Sequence, residues 1–268
     1  MTRSIRNGPA TFRGTPAETY FMAQEILVER LFEALINGDR ATSRSIVEEA
    51  ISGGAGPALV MTNLFWPTHE LIDRMHRADQ LGRIGYHFAT RILRVLIDQT
   101  AARLPRQNFN GKTVFATCGT AEGEELGAQM AVDLLEASGF RVTFGGGGIP
   151  ADEILSHVQE HQPSYLVMFC SAASDLPGVR QLVDQLREIS ACKNTKLAVG
   201  GGVFNRAEGL ADEIGAKLHA PSPLELVRLL INPEQFLARR AEAEQREAAR
   251  VAAQRAEARA AMKKRRAA

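Results

Sequence analysis

Apolar residues up to about residue 103 recur every three to four positions, which is the period of an amphipathic helix. The pattern predicts four helices, at residues 17–36, 41–51, 58–77 and 83–104. Short polar turns join them, and Gly38 follows the end of the first helix, where glycine commonly terminates one. Four helices joined in this way predict a helical bundle over residues 17–104.

After a linker at residues 105–111, the pattern changes to short apolar runs that alternate with amphipathic segments. This alternation predicts a five-stranded, doubly wound parallel sheet of the flavodoxin-like kind over residues 105–232. The predicted strands are 113–117, 141–144, 165–169, 196–199 and 217–219. The predicted helices are 123–138, 151–161, 176–190 and 207–214, with a last one after Pro223. The glycine run at residues 145–148 is expected to form a flexible loop after the second strand.

Composition and charge add little chemistry to this outline. With 268 residues, 45% of them hydrophobic, the chain can bury two cores, and three isolated cysteines indicate neither a disulfide framework nor a zinc site. Residues 1–16 are expected to be a flexible segment without a signal peptide. No apolar run is long enough to span a membrane, so a cytoplasmic protein without a membrane partner is expected.

The net charge of +1 conceals a basic carboxyl end. Residues 233–268 are predicted to form a charged helical tail, and residues 238–268 hold ten Lys or Arg against four Glu. The tail is expected to be a solvated extension. The alternative is that it binds nucleic acid or an acidic partner, and it is the only segment for which direct nucleic-acid binding is expected.

Small and acidic residues follow three of the predicted strands. Residues 122–127 read Glu-Gly-Glu-Glu-Leu-Gly after the first strand, residues 170–173 read Cys-Ser-Ala-Ala after the third, and three glycines follow the fourth. A small-residue loop that leads from the first buried strand into an amphipathic helix is where an α/β fold presents a cofactor, so the function is expected beside the loop after the first strand. No phosphate-binding loop, nucleophile elbow or zinc-protease motif is present in the sequence, so an enzyme that acts on its own is not expected.

The order of bundle, linker and α/β domain, with these three segments, resembles the cobalamin-binding module. This module occurs in methionine synthase, in corrinoid methyl carriers and in light-responsive cobalamin-dependent regulators. The resemblance implies a helical cap at residues 17–104 and a Rossmann-like cobalamin-binding domain at 105–232. The cofactor contacts that it implies in the α/β domain are Glu122, Glu124, Gly127, Ser171, Ala172, Ala173, Gly200, Gly201 and Gly202.

One residue departs from the family pattern at the position that matters most for the metal. Glu124 stands where the family has the histidine that binds cobalt from below. A carboxylate is a hard anionic ligand and imitates imidazole poorly. The corrinoid is therefore expected to keep its own base or a water as lower ligand, unless the site has been adapted to another tetrapyrrole. Acidic residues here could also simply complement the amino end of the helix.

The helical cap carries a second likeness, closest to the light-responsive regulators. Their signature of a tryptophan, nine residues and Glu-His-Phe corresponds to His76 followed by Tyr86, His87 and Phe88, with Pro67 ahead of it. These four residues are expected to contact the cofactor from its upper side. An imidazole can ligate a metal, so His76 is predicted as an upper axial ligand.

The resemblance implies a cobalamin-binding sensor or regulatory protein that acts through a protein partner. The alternative is a corrinoid methyl-carrier subunit whose partner is a methyltransferase, or a haem- or bilin-binding sensor that uses the same cleft. A homo-oligomer or a hetero-complex is expected in either case. The form of the cofactor stays open.

Overall fold

The structure is a computed structural model that describes residues 16–120, 122–188, 194–207, 209–242 and 245–246. It divides into two compact units, Met1–Leu104 and Pro105–Ala268. The basic tail beyond residue 246, for which an extension or a partner-binding role was predicted, lies outside the described residues, as does most of residues 1–16.

The first unit is helical, as the apolar period predicts. Its helices are α1 (Pro16–Ile36), α2 (Arg40–Ser52), α3 (Pro57–Val60), α4 (Trp66–Arg77) and α5 (Arg83–Ala101). Helix α1 packs against α5, α2 and α4. The core of this unit is formed by fully buried apolar side chains, among them Leu31, Leu35, Ile46, Phe65, Ile72, Leu93 and Ile97.

The third predicted helix is one continuous helical segment with an irregular centre. Met61–Phe65 between α3 and α4 form a π-helical turn, which the apolar period does not reveal. Pro67 has no N–H, so the carbonyl of Asn63 lacks the usual donor four residues later. Gln24 of α1 supplies a donor instead, because its Nε2 lies 2.9 Å from the Asn63 oxygen. The irregular turn is therefore connected to a neighbouring helix.

The second unit has a parallel sheet of five strands in the order β2-β1-β3-β4-β5. The strands are β1 (Thr113–Cys118), β2 (Arg141–Gly147), β3 (Tyr165–Phe169), β4 (Lys196–Gly200) and β5 (Leu218–Ala220). The helices are α6 (Glu122–Ala137), α7 (Ala151–His161), α8 (Leu176–Glu188), α9 (Gly202–Arg206), α10 (Leu210–Glu213) and α11 (Pro223–Ile231). This is the flavodoxin-like order, and it confirms the predicted fold class.

Helices cover both faces of this sheet. Helix α6 packs against α11, and α7 packs against α8, as right-handed crossovers from this strand order require. Strand β3 lies in the middle of the sheet, and all five of its residues are buried. The carboxyl ends of β1, β3 and β4 are therefore neighbours along one edge.

Two predicted elements differ from the structure. The expected flexible loop at residues 145–148 is wrong, because β2 continues to Gly147 and pairs Gly146 and Gly147 with Thr117 and Cys118. A side chain on Gly147 would overlap the carbonyl of Gly119, so only glycine permits this approach.

The predicted helix at residues 207–214 is shorter in the structure. Helix α10 begins only after Gly209, whose φ of +80° lies in the left-handed region, and the short helix α9 before residue 207 was not predicted. Among the described residues, no helix is both long and apolar enough to cross a membrane.

Candidate functional site

The structure brings the three predicted segments together at the carboxyl edge of the sheet. The N–H of Gly119 after β1 donates to the Phe169 carbonyl at 3.0 Å, and the N–H of Cys170 after β3 donates to the Gly200 carbonyl at 3.0 Å. The N–H of Gly202 lies 3.4 Å from the Ser171 hydroxyl oxygen. Each segment therefore contacts the next through its backbone.

Glu124 is the side chain that joins two of these segments. It lies in the first turn of α6, and only 6% of it is exposed. Its Oε1 accepts hydrogen bonds from the N–H groups of Ser171 at 2.6 Å and Ala172 at 2.9 Å. The carboxyl thus turns toward the backbone after β3, where two N–H groups satisfy one of its oxygens.

The other oxygen of Glu124 faces a second carboxyl, which sequence reasoning missed. Asp175 lies in a 3₁₀ turn, residues Ala173–Asp175, immediately before α8. A Cβ on Gly119 would overlap Glu124 Oε2 and would lie 2.9 Å from Asp175 Oδ2, so the two oxygens share the space beside this glycine. Burial is the main cause that raises the pKa of Glu124, and the charge of Asp175 raises it further, against the lowering effect of the Ser171 and Ala172 N–H groups.

The glycines after β4 allow close backbone packing. Gly201 has φ +104°, and a Cβ there would overlap the backbone of Cys170. The guanidinium of Arg206 in α9 donates to the Ser171 carbonyl. Gly200 is buried at the end of β4, whereas Ala173 is exposed on the 3₁₀ turn.

A cavity of about 220 Å³ opens beside the ends of β1 and β3. Its walls are mostly apolar, and Thr120 and Asp175 contribute polar groups. Cys118 lines it half-buried, while burial raises the pKa of the Cys170 thiol far above its usual range, so this thiol stays protonated. Its other lining residues are Thr117, Gly119, Gly148, Ile149, Ala151, Ile154, Met168, Phe169, Gly178, Val179 and Leu182.

The four residues predicted from the cap signature lie on α4 and α5 of the helical unit. The half-buried His76 ring stacks on Tyr86, with ring centres 4.0 Å apart, and His76 Nδ1 lies 3.0 Å from the Leu81 carbonyl oxygen. In the neutral ring, this contact places the proton on Nδ1 and the lone pair on Nε2. His87 is exposed, and Phe88 is 46% exposed although it is aromatic.

Two further residues that were predicted as cofactor contacts lie at the beginning of α6. Gly127 lies in the second turn of α6 and is half-buried. Glu122 begins the same helix, but its side chain falls outside the described residues.

Both units of the chain match known families. Residues 112–224 match a family described as B12 binding domain, and residues 27–99 match a second family with the same description. This chain belongs to the B12-binding family. The predicted cofactor, cobalamin, is thereby confirmed as the ligand class of this protein.

Curated relatives of this B12-binding protein extend over most of its length. Monomethylamine corrinoid protein 1 of Methanosarcina mazei is 21% identical over 217 residues, which are 79% of this chain and 99% of the relative. Dimethylamine corrinoid protein 1 of Methanosarcina acetivorans is 24% identical over 214 residues, 77% of this chain and 96% of the relative. These names describe corrinoid proteins.

A solved structure shows the same fold. The Methanosarcina barkeri monomethylamine corrinoid protein superposes with a TM-score of 0.67 at 16% sequence identity, over 77% of this chain and 98% of that protein. The comparisons support the family and the cofactor, and they do not bear out a closer likeness to light-responsive regulators. A role in sensing or transcription regulation gains no support from them.

The residues present fit a corrinoid whose lower ligand does not come from the loop after β1. At the position of the family histidine, Glu124 is buried, and one of its oxygens is engaged by two backbone N–H groups. Small residues, backbone groups and an apolar cavity line the edge beside it, and the cavity is smaller than the pockets that enclose whole cofactors. The residues present therefore offer a surface for part of a corrinoid, without a histidine in the loop after β1.

Asp175 could have been found from the sequence by a specific signal. It is an acidic residue followed by Leu-Pro, a pattern typical of a helix start, and it comes three residues after Ala172. A carboxyl at that place must lie at the same sheet edge as Glu124. The pairing itself depends on the side-chain directions of both residues, which no spacing rule provides.

Proposed function

We propose that this protein is a corrinoid methyl carrier that works with a separate methyltransferase. The observation that carries the proposal is the length of the likeness: 99% of a monomethylamine corrinoid protein aligns with this chain, across both the helical unit and the α/β unit. When bound, the corrinoid would supply a cobalt centre that accepts and releases a methyl group.

The residues at the carboxyl edge would hold this cofactor. The backbone N–H groups of Gly119, Ser171 and Gly202 are each fixed by a hydrogen bond. Glu124 ties the segments after β1 and β3 together, so they form one preorganised surface. Glu124 would act through this support and not as a ligand of cobalt, and the corrinoid would keep its own base or a water below the metal.

A methyl-uptake assay tests this proposal. The protein is loaded with hydroxocobalamin, freed of excess cofactor, reduced with titanium(III) citrate and given methyl iodide, and absorbance follows the bound cofactor. A carrier is expected to take up the methyl group and to lose it to a thiol only after a corrinoid:thiol methyltransferase is added. Failure of the bound cofactor to react, while free cobalamin in a parallel sample does, would overturn the carrier role.

A cobalamin-binding sensor is a second candidate, and Glu124 is the observation that favours it. A protein without the family histidine lacks one means of tuning cobalt during repeated methyl transfer. A sensor would bind the corrinoid without exchanging its methyl group with any methyltransferase. It would instead change its association with a protein partner when the upper substituent of the cofactor is changed.

A further inference from the structure

The Glu124 and Asp175 carboxyls meet at the junction of the loop after β1 and the loop after β3. Glu124 Oε1 is satisfied by the Ser171 and Ala172 N–H groups. Glu124 Oε2 and Asp175 Oδ2 are both buried, and neither has a hydrogen-bond donor among the residues that the structure describes. Glu124 is 94% buried and directs Oε2 toward Asp175 beside Gly119. Glu124 Oε2 and Asp175 Oδ2 therefore need one hydrogen-bond donor between them.

We propose that Glu124 and Asp175 share a single proton, and that this proton fastens the loop after β1 to the loop after β3. Two ionised carboxylates in contact repel each other, and burial removes the water that would screen them. One proton converts one of the acids into a hydrogen-bond donor for the other. The shared proton gives both Glu124 Oε2 and Asp175 Oδ2 a hydrogen-bond partner, and no donor among the described residues does so.

The groups around Glu124 and Asp175 favour a protonated carboxyl over two ionised carboxylates. Burial and the neighbouring Asp175 raise the pKa of Glu124, although two N–H groups oppose them. The Cys170 thiol at the end of β3 is neutral, because burial, Asp175, Glu124 and Cys118 all raise its pKa. The Arg206 guanidinium of α9 donates to the Ser171 carbonyl. The described groups around the pair thus include two thiols and a guanidinium engaged with a backbone carbonyl.

The direction of the pH dependence follows from linkage. A carboxyl with a raised pKa binds a proton more tightly in the folded protein than in the unfolded chain. Its stabilising contribution is complete below the ordinary glutamate pKa and is lost as the pH rises through the raised value. The two loops should therefore be held most firmly on the acidic side.

Carbon-detected NMR on the cofactor-free protein tests the shared proton directly. With side-chain carboxyls labelled with ¹³C, the signals of Glu124 and Asp175 are expected to titrate together, with one proton retained above the ordinary carboxyl range. In Asp175→Asn, the amide can donate to Glu124 Oε2, so Glu124 should lose its proton at a lower pH. Independent titration of both groups in the ordinary range, with no response of Glu124 to Asp175→Asn, would overturn the proposal.

Glu124→Gln imitates the protonated form. Its amide oxygen can still accept from Ser171 and Ala172, while its amide nitrogen donates permanently to Asp175. The free energy of unfolding of this variant should vary less with pH than that of the natural protein. The difference should appear between the ordinary glutamate pKa and neutrality. The exposed Glu234→Gln serves as the matched control and should parallel the natural protein. Parallel curves for Glu124→Gln and the natural protein would contradict the shared proton.

A bound cation would also neutralise two carboxylates, and the same spectra distinguish it. Addition of Mg²⁺ or Zn²⁺ to the apoprotein is expected to leave both carboxyl signals unchanged near neutral pH. A saturable shift of both signals with either metal would show that a cation, and not a proton, neutralises the two carboxylates, and it would overturn the proposal.

The consequence for the cofactor rests on the proposed corrinoid site. Affinity for hydroxocobalamin is expected to fall as the pH rises through the titration of the pair, and to be less dependent on pH in Glu124→Gln. Equal pH dependence of the affinity in both proteins would show that the Glu124–Asp175 pair does not affect cofactor binding. Because the NMR titration uses the apoprotein, failure of the carrier assay leaves the test of the shared proton intact.

Discussion

At the scale of single residues, the neutral form of His76 has its lone pair on Nε2. Its Nδ1 lies 3.0 Å from the Leu81 carbonyl oxygen, which can only accept a hydrogen bond, and Tyr86 stacks on the ring. Its role as an upper axial ligand stays a prediction. If Nε2 binds cobalt, His76→Ala should shift the main absorption bands of bound hydroxocobalamin, and the exposed His161→Ala should not. Identical spectra for all three proteins would contradict ligation by His76.

Gly201 is a residue at which the backbone itself demands glycine. Its φ of +104° and the overlap of any Cβ with Cys170 make Gly201→Ala doubly unfavourable, and we expect a loss of about 2 kcal/mol or more in urea unfolding. Gly178→Ala in α8 is the matched control, because no atom lies within 4 Å of its Cβ position. That replacement should stabilise the protein by roughly 0.5 kcal/mol. Equal effects at the two sites would refute the packing argument for Gly201.

Residue identities predicted which segments meet, but not how their side chains are used. The resemblance implied that Glu124, Ser171 and Gly201 lie at one candidate site, and the structure places them at a common sheet edge. The resemblance treated Glu124 as a substituted metal-binding position. In the structure the buried carboxyl accepts two backbone N–H groups, because α6 directs it toward the loop after β3. A side-chain direction of this kind depends on tertiary packing.

At the scale of elements, the π-helical turn before α4 is stabilised from another helix. Gln24 donates to the Asn63 carbonyl, which Pro67 cannot serve. Gln24→Ala should therefore lower the free energy of unfolding by about 1 kcal/mol. In a Pro67→Ala background, the restored N–H of residue 67 can donate to the Asn63 carbonyl. Gln24→Ala should then lower the free energy of unfolding by less than about half as much. Urea unfolding of the four proteins gives the coupling, and equal costs in both backgrounds would contradict it.

The order of helices and strands was predictable because burial imposes a clear period on each. All five strands and most helices lie within a few residues of their predicted bounds. The exceptions involve glycine. Strand β2 continues through Gly146 and Gly147 because they approach the backbone after β1, and α9 and α10 are separated at Gly209. Glycine favours loops by propensity, so local patterns cannot indicate that it is needed for close packing.

At the scale of the whole molecule, the central claim is that this B12-binding protein holds a corrinoid without a histidine from the loop after β1. Two B12 binding domain matches, one in each unit, support the cofactor. The buried Glu124 supports the missing histidine ligand. The two parts of the claim can be measured in one sample.

Electron paramagnetic resonance of the protein loaded with the cobalt(II) form of cobinamide, a corrinoid without its own base, is the most direct measurement. Co-elution of cofactor and protein at a ratio near one to one is predicted, with no nitrogen splitting from a lower histidine. His76→Ala is included, so that nitrogen contributed by His76 is recognised by its loss. Failure of both cobinamide and hydroxocobalamin to co-elute with the protein would contradict the account. So would nitrogen splitting that persists without His76, since a different histidine would then be the ligand.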